Sequence, residues 1–216
     1  NKVHEKTEII EHLQDVMMLS LAELVECRDE NTGGHVKRTA EYVKILTDEI
    51  VEAGLYSDIL TPEYIRDIVR SAPLHDIGKI GINDSTLLKA GSLDDEEFEY
   101  MKNHAELGGQ TLQKMINETN GESFLYVAKD MAHYHHEKWD GSGYPSGLKG
   151  EEIPISARIM AIADVYDALT TKRPYKEAFE HEAALKIIID GKGKMFDPNI
   201  IDIFEKISYK FQLVNL

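Results

Sequence analysis

Apolar residues recur along this chain at the 3.6-residue period of an α-helix almost from end to end, and strand-type alternation is weak throughout. That pattern confines the fold to helices packed on helices. Ile9, Leu13, Val16, Ser20 and Leu24 share one face, so residues 7–28 read as one long amphipathic helix. Tyr42, Ile45, Leu46 and Ile50 continue the pattern in a second helix that opens near His35. Thr61-Pro62-Glu63 is a helix start, with Thr as the cap and Pro where its missing N–H is not needed. The helix it opens carries Ile65, Ile68 and Val69 and should end near His75-Asp76. Ser92 followed by Asp94, Asp95, Glu96 and Glu97 marks another start, because acids in a first turn meet the positive end of the helix dipole. Further helices are expected over 94–102, 104–117, 121–137, 156–171, 180–190 and 198–207, the last capped by Asp197 ahead of Pro198. One long irregular stretch remains, 138–155, rich in glycine and proline. Such a segment inside a compact domain is usually functional or disordered.

Composition narrows the function classes. The 216 residues fit one large domain, or a domain with a short appendage. With 42% apolar and 29% charged residues the chain can bury a core, which excludes wholesale disorder. A net charge of −15 argues against a polymeric nucleic-acid partner, which needs clustered Lys and Arg. Cys27 is the single cysteine, so no internal disulfide can form, and a reducing, cytoplasmic setting is expected. No apolar run reaches the ~20 residues of a membrane span, and no signal peptide is visible. The chain starts at Asn1 rather than Met and reads as a piece of something longer.

Nine histidines stand out, several beside acids. His with Asp is a common ligand set for first-row transition ions. His75-Asp76 sits where a helix runs into a glycine turn, and adjacent residues can face one point most easily where a helix ends. His35 opens a helix after Thr32-Gly33-Gly34, His104 falls at a helix junction, and His135-His136 end another helix. Asp164 lies inside the apolar helix Ile159–Leu169, where a carboxylate is costly unless paired or bound to a cation. His4, His12 and His181 read as solvated or packed, whereas His133 is a weaker candidate because it lies three residues before His136.

These residues carry a family resemblance. His75-Asp76-Ile77-Gly78-Lys79 resembles the HD-x-x-K core of the HD metal-dependent phosphohydrolases. The run His135-His136-Glu137-Lys138-Trp139-Asp140-Gly141-Ser142-Gly143-Tyr144-Pro145 resembles the signature of the HD-GYP subfamily. Ile153 to Ile159, Ala163 to Thr170, Arg173-Pro174-Tyr175-Lys176 and Phe196-Asp197-Pro198 follow in that subfamily's order, so the match spans roughly residues 28–205.

The resemblance implies an all-α, HD-type helical bundle with additional C-terminal helices and an N-terminal helix leading into it. It divides the chain into a signalling or linker helix over 1–28 and a phosphodiesterase domain over 29–216. It implies hydrolysis of the second messenger cyclic di-GMP to pGpG, and in some members onward to GMP, with His75, Asp76 and Lys79 as catalytic residues. His35, His75, Asp76 and Asp164 would hold one divalent ion, and Asp76 would bridge to a second held by His104 and His135, with His136 at the edge. Iron or manganese is the first expectation, with zinc, nickel or cobalt as alternatives. Two ions ~3.5–4 Å apart activate water and neutralise charge on the reacting phosphate. Lys79, Arg173 and Lys176 match positions that meet the substrate phosphates, and Tyr144 would lie beside the ligand at the mouth.

Trinuclear members carry Glu four residues ahead of the first histidine, where this chain has Asn31, a poorer ligand. A binuclear centre is therefore expected. A weakly active or inactive module that binds nucleotide or partner proteins, and a phosphodiesterase for cyclic GMP–AMP, are the alternatives. An upstream receiver or sensor domain, and a homodimer through Ile9, Leu13, Val16 and Leu24, are the expected partners.

Overall fold

The computed structural model describes residues 2–28, 34–119, 123–172 and 177–214. Its helices are α1 (Lys2–Glu26), α2 (His35–Glu52), α3 (Pro62–Ser71), α4 (Asp84–Leu87), α5 (Asp95–Glu118), α6 (Ser123–Tyr134), α7 (Ile155–Thr170), α8 (His181–Asp190) and α9 (Pro198–Val214). Short 3₁₀ turns occupy Ala72–Leu74, Ile77–Gly81 and Gly150–Glu152. Among the described residues there is no strand, only an isolated bridge between Lys192 and Phe196.

Local signals set several of these boundaries. The Thr61 side chain accepts from the Tyr64 N–H at 3.2 Å ahead of Pro62, as its sequence predicts. Asp94 and Glu97 close a reciprocal capping box at 3.0 and 2.9 Å, each acid meeting the other's backbone N–H. A cap of this kind contributes about 1 kcal/mol.

Helix α7 is buried nearly all round, which fits its apolar run and puts it at the centre of the main core. Its Ile159, Ile162 and Tyr166 pack among Tyr42 and Leu46 of α2 and Phe204 and Phe211 of α9. Tyr42 stacks on Phe211 with centroids 4.5 Å apart. A second, smaller core joins Leu112 and Ile116 of α5 to Phe124, Leu125 and Ala128 of α6.

Three expectations need correcting. Residues 94–117 form one helix, so His104 lies in mid-helix rather than at a junction. Gly108 and Gly109 do not break it, because α6 packs so closely there that a Cβ on Gly109 would sit 2.6 Å from His133 Nδ1. Helix α9 runs past 207 to Val214, since Ser208 and Phe211 continue its buried face. On α1 the predicted apolar stripe is not the packed face. Ile9, Leu13, Val16 and Leu24 are exposed, while Ala22 and Val25 of the last turns are buried. Beyond α1, the Arg28 guanidinium donates to the carbonyls of Ile80 at 3.0 Å and Ile82 at 3.1 Å, and pairs with Asp84 at 2.6 Å.

Candidate metal centre

Five elements deliver the clustered side chains. His35 is the first residue of α2, and Gly34 before it adopts a left-handed φ of 85° that turns the chain into the helix. His75 and Asp76 fall between two 3₁₀ turns, where the backbone departs from helical geometry (Asp76 φ −103°, ψ 13°), so adjacent side chains can face one point. Gly78 brings this turn onto α5: a Cβ there would lie 1.9 Å from the His104 carbonyl oxygen. His104 comes from α5, His135 and His136 from just beyond α6, and Asp164 from α7.

The structure brings all seven together in two groups. His35, His75 and Asp164 form one, and Asp76, His104, His135 and His136 the other, with the donor atoms of each within 4.8 Å of one another. Asp76 lies between them. Its Oδ2 is 3.4 Å from His75 Nε2, and its Oδ1 is 3.4 Å from His104 Nε2 and 3.6 Å from His135 Nε2.

The outer ring nitrogens explain why the inner ones converge. His75 Nδ1 donates to the Ala72 carbonyl at 2.9 Å, His104 Nδ1 to Met101 at 2.7 Å, and His135 Nδ1 to Met131 and Ala132 at 3.1 Å. His35 Nδ1 donates to Asp167 Oδ2 at 2.7 Å. A neutral imidazole with its proton outside points a lone pair inside. Those Nε2 atoms then crowd: His35 and His75 are 3.3 Å apart, His104 and His136 3.0 Å. Asp76 Oδ1 and His135 Nε2 are buried without any hydrogen-bond partner. Orphaned groups of this kind cost ~1–3 kcal/mol each, and a shared cation satisfies them together. The residues therefore fit divalent transition ions.

The electrostatics agree. At His75 burial works against charge, yet Asp76, then Asp164 and the Ala72 carbonyl, outweigh it and hold the ring at about 9. The cluster thus favours positive charge at that point. At His104 burial dominates and lowers the ring to about 4. Burial, then the neighbouring imidazoles, push His136 well below its usual value. Burial favours the neutral acid at Asp76, but Lys79 and then His75 hold it well below the usual carboxylate range.

Lys79 Nζ reaches Asp76 Oδ2 at 2.8 Å. Tyr144 lies face to face on His136, centroids 4.8 Å apart at 29°. Burial, and then the charges of Asp76 and Asp164, raise its phenol, so it stays protonated and can donate a hydrogen bond. Its loop is fastened by buried Glu137, whose carboxylate accepts from the N–H groups of Ser146 at 2.7 Å, Gly147 at 3.1 Å and Leu148 at 3.1 Å. Gly143 is required there, since a Cβ would lie 2.3 Å from the Lys138 nitrogen. Arg173, Lys176 and Asn31 lie outside the described residues. His133 is not in the cluster: its Nε2 is 3.7 Å from Glu106.

Sequence reasoning missed three contributors. Asp167 orients His35 and is itself gripped by Arg38, whose Nε and Nη2 donate at 2.6 and 2.9 Å. The signal for Asp167 was its place one turn after Asp164 in an otherwise apolar helix. Glu137 stood in the glycine-rich motif without a role.

The comparisons agree with this geometry. The family profile described as "HD domain" matches residues 20–200. A cyclic di-GMP phosphodiesterase of Vibrio cholerae is 51% identical over 92% of this chain and 40% of its own length. A 3′3′-cGAMP-specific phosphodiesterase of the same organism is 42% identical over 87% of this chain and 33% of its own. The chain thus spans less than half the length of these relatives. A crystal structure of a cyclic GMP-AMP specific phosphodiesterase of V. cholerae superposes with a TM-score of 0.59 over 90% of this chain and 50% of that one, at 19% identity, and shares the fold. A cluster reached by a His-Asp pair between 3₁₀ turns, a second pair closing α6 and a Gly-Tyr-Pro loop stacked on it carries both halves of the signature, and the chain belongs to the HD domain family, within its HD-GYP group.

Proposed function

We propose that this chain is the phosphodiesterase unit of a signalling protein and hydrolyses cyclic di-GMP to pGpG, possessing a binuclear centre of iron or manganese. The observation that carries the reading is Asp76, whose two carboxylate oxygens each face a separate histidine group. A carboxylate so placed is the natural bridge of a two-ion site.

Bound ions supply charge neutralisation at the phosphate and an activated water. The chain's own residues do the rest. His35, His75 and Asp164 would hold one ion and His104, His135 and His136 the other; carbonyls fix the outer nitrogens of His75, His104 and His135, and Asp167 that of His35. Lys79 balances Asp76 and offers its ammonium to a phosphate oxygen, and Arg173 and Lys176 add two further cations against the dinucleotide's two phosphodiesters. Tyr144, held on His136 by the Glu137-fastened loop, positions the nucleotide and donates from its neutral phenol. The exposed stripe of α1 joins a second copy, and an upstream receiver or sensor domain acts through the same helix.

Cleavage of cyclic di-GMP by protein loaded with Mn²⁺ or Fe²⁺, followed by chromatography, tests the reading. Expected are pGpG and two metal equivalents per chain by plasma emission. Retained binding with no product under several metals would overturn the enzyme, and three equivalents the binuclear centre. The 42% identical cGAMP-specific relative supports cyclic GMP–AMP as a second substrate reading, and competition between the two dinucleotides separates them.

A further inference from the structure

We propose that Lys102 and Glu99 of α5, with the ring of Phe98 beside them, form a guanine-reading subsite at the rim of the metal centre and set its base preference. Such a subsite rests on the cyclic-dinucleotide reading and deepens it. The metal centre faces a phosphodiester, which every cyclic dinucleotide carries, so choice among bases must come from residues beside it.

Position comes first. Lys102 lies two residues ahead of His104 on α5. Its ammonium stands over two rings, 5.0 Å from the centroid of Phe98 and 5.4 Å from that of Tyr144. Tyr144 is in turn stacked on His136. A cation one aromatic ring removed from the histidine cluster is thus held between two elements, α5 and the Gly-Tyr-Pro loop. Both are fixed: the Asp94–Glu97 capping box sets the first turn of α5, and Glu137 fastens the loop. A ligand meets these groups already in place, which lowers the cost of ordering them.

Exposure comes next. Phe98 is 48% exposed, and a ring left half in water at the rim offers a stacking face to a base. Lys102 and Glu99 form an ion pair three residues apart on the helix, with the carboxylate side chain 69% exposed. Pairs of this kind contribute little to stability, so exchanging either partner for a ligand atom costs little. After burial, Asp76 and Asp164, Glu99 adds to the rise of the Tyr144 phenol, so its charge acts on the same rim.

The chemistry selects guanine. A phosphate needs cations and gains nothing from an aromatic face, whereas a base takes both a stacking ring and groups matched to its edge. The Watson–Crick edge of guanine presents one acceptor, O6, beside two donors, N1–H and N2–H₂. An ammonium only donates and a carboxylate only accepts, so Lys102 suits O6 and Glu99 suits the two N–H groups. Adenine carries N6–H₂ where guanine has O6, and an acceptor nitrogen where guanine has N1–H. Against this pair adenine sets donor to donor and acceptor to acceptor, which repels it as well as forgoing the bonds.

Steady-state cleavage of cyclic di-GMP by the full chain loaded with Mn²⁺ tests the subsite. Cyclic di-AMP is added as competitor, and its inhibition constant is read whether or not it is cleaved. In the wild type that constant is expected to exceed the KM for cyclic di-GMP by about 10-fold or more. Lys102→Met keeps the apolar stem and removes the charge. It is expected to raise the KM for cyclic di-GMP about 10-fold, to leave the cyclic di-AMP constant unchanged or lower, and to keep the wild-type metal content by plasma emission. Glu99→Gln is expected to shift the ratio of the two constants in the same direction, and it carries the test should Lys102→Met fail to fold or lose metal. An equal rise for both dinucleotides in Lys102→Met would make the residue a phosphate contact and overturn the base reading. An unchanged ratio in either metal-replete variant would overturn it as well. A wild type that cleaves cyclic di-GMP but binds cyclic di-AMP equally would overturn the subsite alone. A metal-loaded wild type that cleaves neither would overturn the cyclic-dinucleotide reading and the subsite with it.

Discussion

His35 and Asp167, 132 positions apart in sequence, meet at 2.7 Å, and Arg38 forks the same carboxylate from one turn further along α2. The carboxylate fixes both the tautomer and the tilt of the ring, so the lone pair at Nε2 faces the cluster.

Asp167→Asn is therefore expected to weaken Mn²⁺ binding by about 10–100-fold, since an amide can present its N–H₂ to the ring and release the tautomer. Calorimetric titration reads this directly. Unchanged affinity would mean that the packing of α2 alone orients His35.

Stability of the metal-stripped protein should peak near pH 6.5. His104 is held at about 4 in the fold against 6.5 in an unfolded chain, so between those values the unfolded state binds the extra proton and stability falls as pH drops. His75 is held at about 9, so its stabilisation is complete below 6.5 and is lost as pH rises toward 9. Calorimetric melts after chelation check both limbs, and His104→Gln should flatten the acid one. A melting temperature that climbs steadily from pH 6 to 9 would contradict the His75 limb.

Removing the Glu137 carboxylate strands three backbone donors of the Gly-Tyr-Pro loop. Glu137→Ala should cost on the order of 3 kcal/mol in urea unfolding and raise KM through displacement of Tyr144. A loss under ~1 kcal/mol would show that the loop holds itself.

Arg173→Ala should weaken cyclic di-GMP binding or raise KM while leaving metal content unchanged, because a guanidinium can fork a phosphate and is a poor metal ligand. Plasma emission and KM on the same preparation test the pair. Loss of metal in this variant would make the residue structural.

Leu13→Glu should abolish self-association through α1, whose Leu13 is 58% and Leu24 65% exposed. Sedimentation velocity decides it. A wild-type chain that sediments as a monomer at tens of micromolar would remove the dimer.

The sequence made the helices legible because caps and apolar period are local. Thr61, Asp94 and the Pro198 start act within four residues of themselves. It made the His-Asp cluster legible because seven metal-type residues in one family's order are improbable as packing. Other features depended on which face of a helix meets which neighbour. The α1 stripe was visible, but nothing in its period says that Ala22 and Val25, not Leu13, touch the body. His104 read as a junction because a histidine inside a helix and one at its end carry the same local signature.

Helix α1 is held at two levels, by the Arg70 guanidinium of α3 on Asp15 at 2.8 Å in its middle and by buried Ala22 and Val25 in its last turns. From Asp15 to Ala22 is ~10 Å of helix, at 1.5 Å per residue. Two anchors set a helix's direction as well as its end, where one alone would leave it free to swivel. Arg28, tied to the carbonyls after the His-Asp pair, makes the bench that holds Asp76 the end of that fixed line.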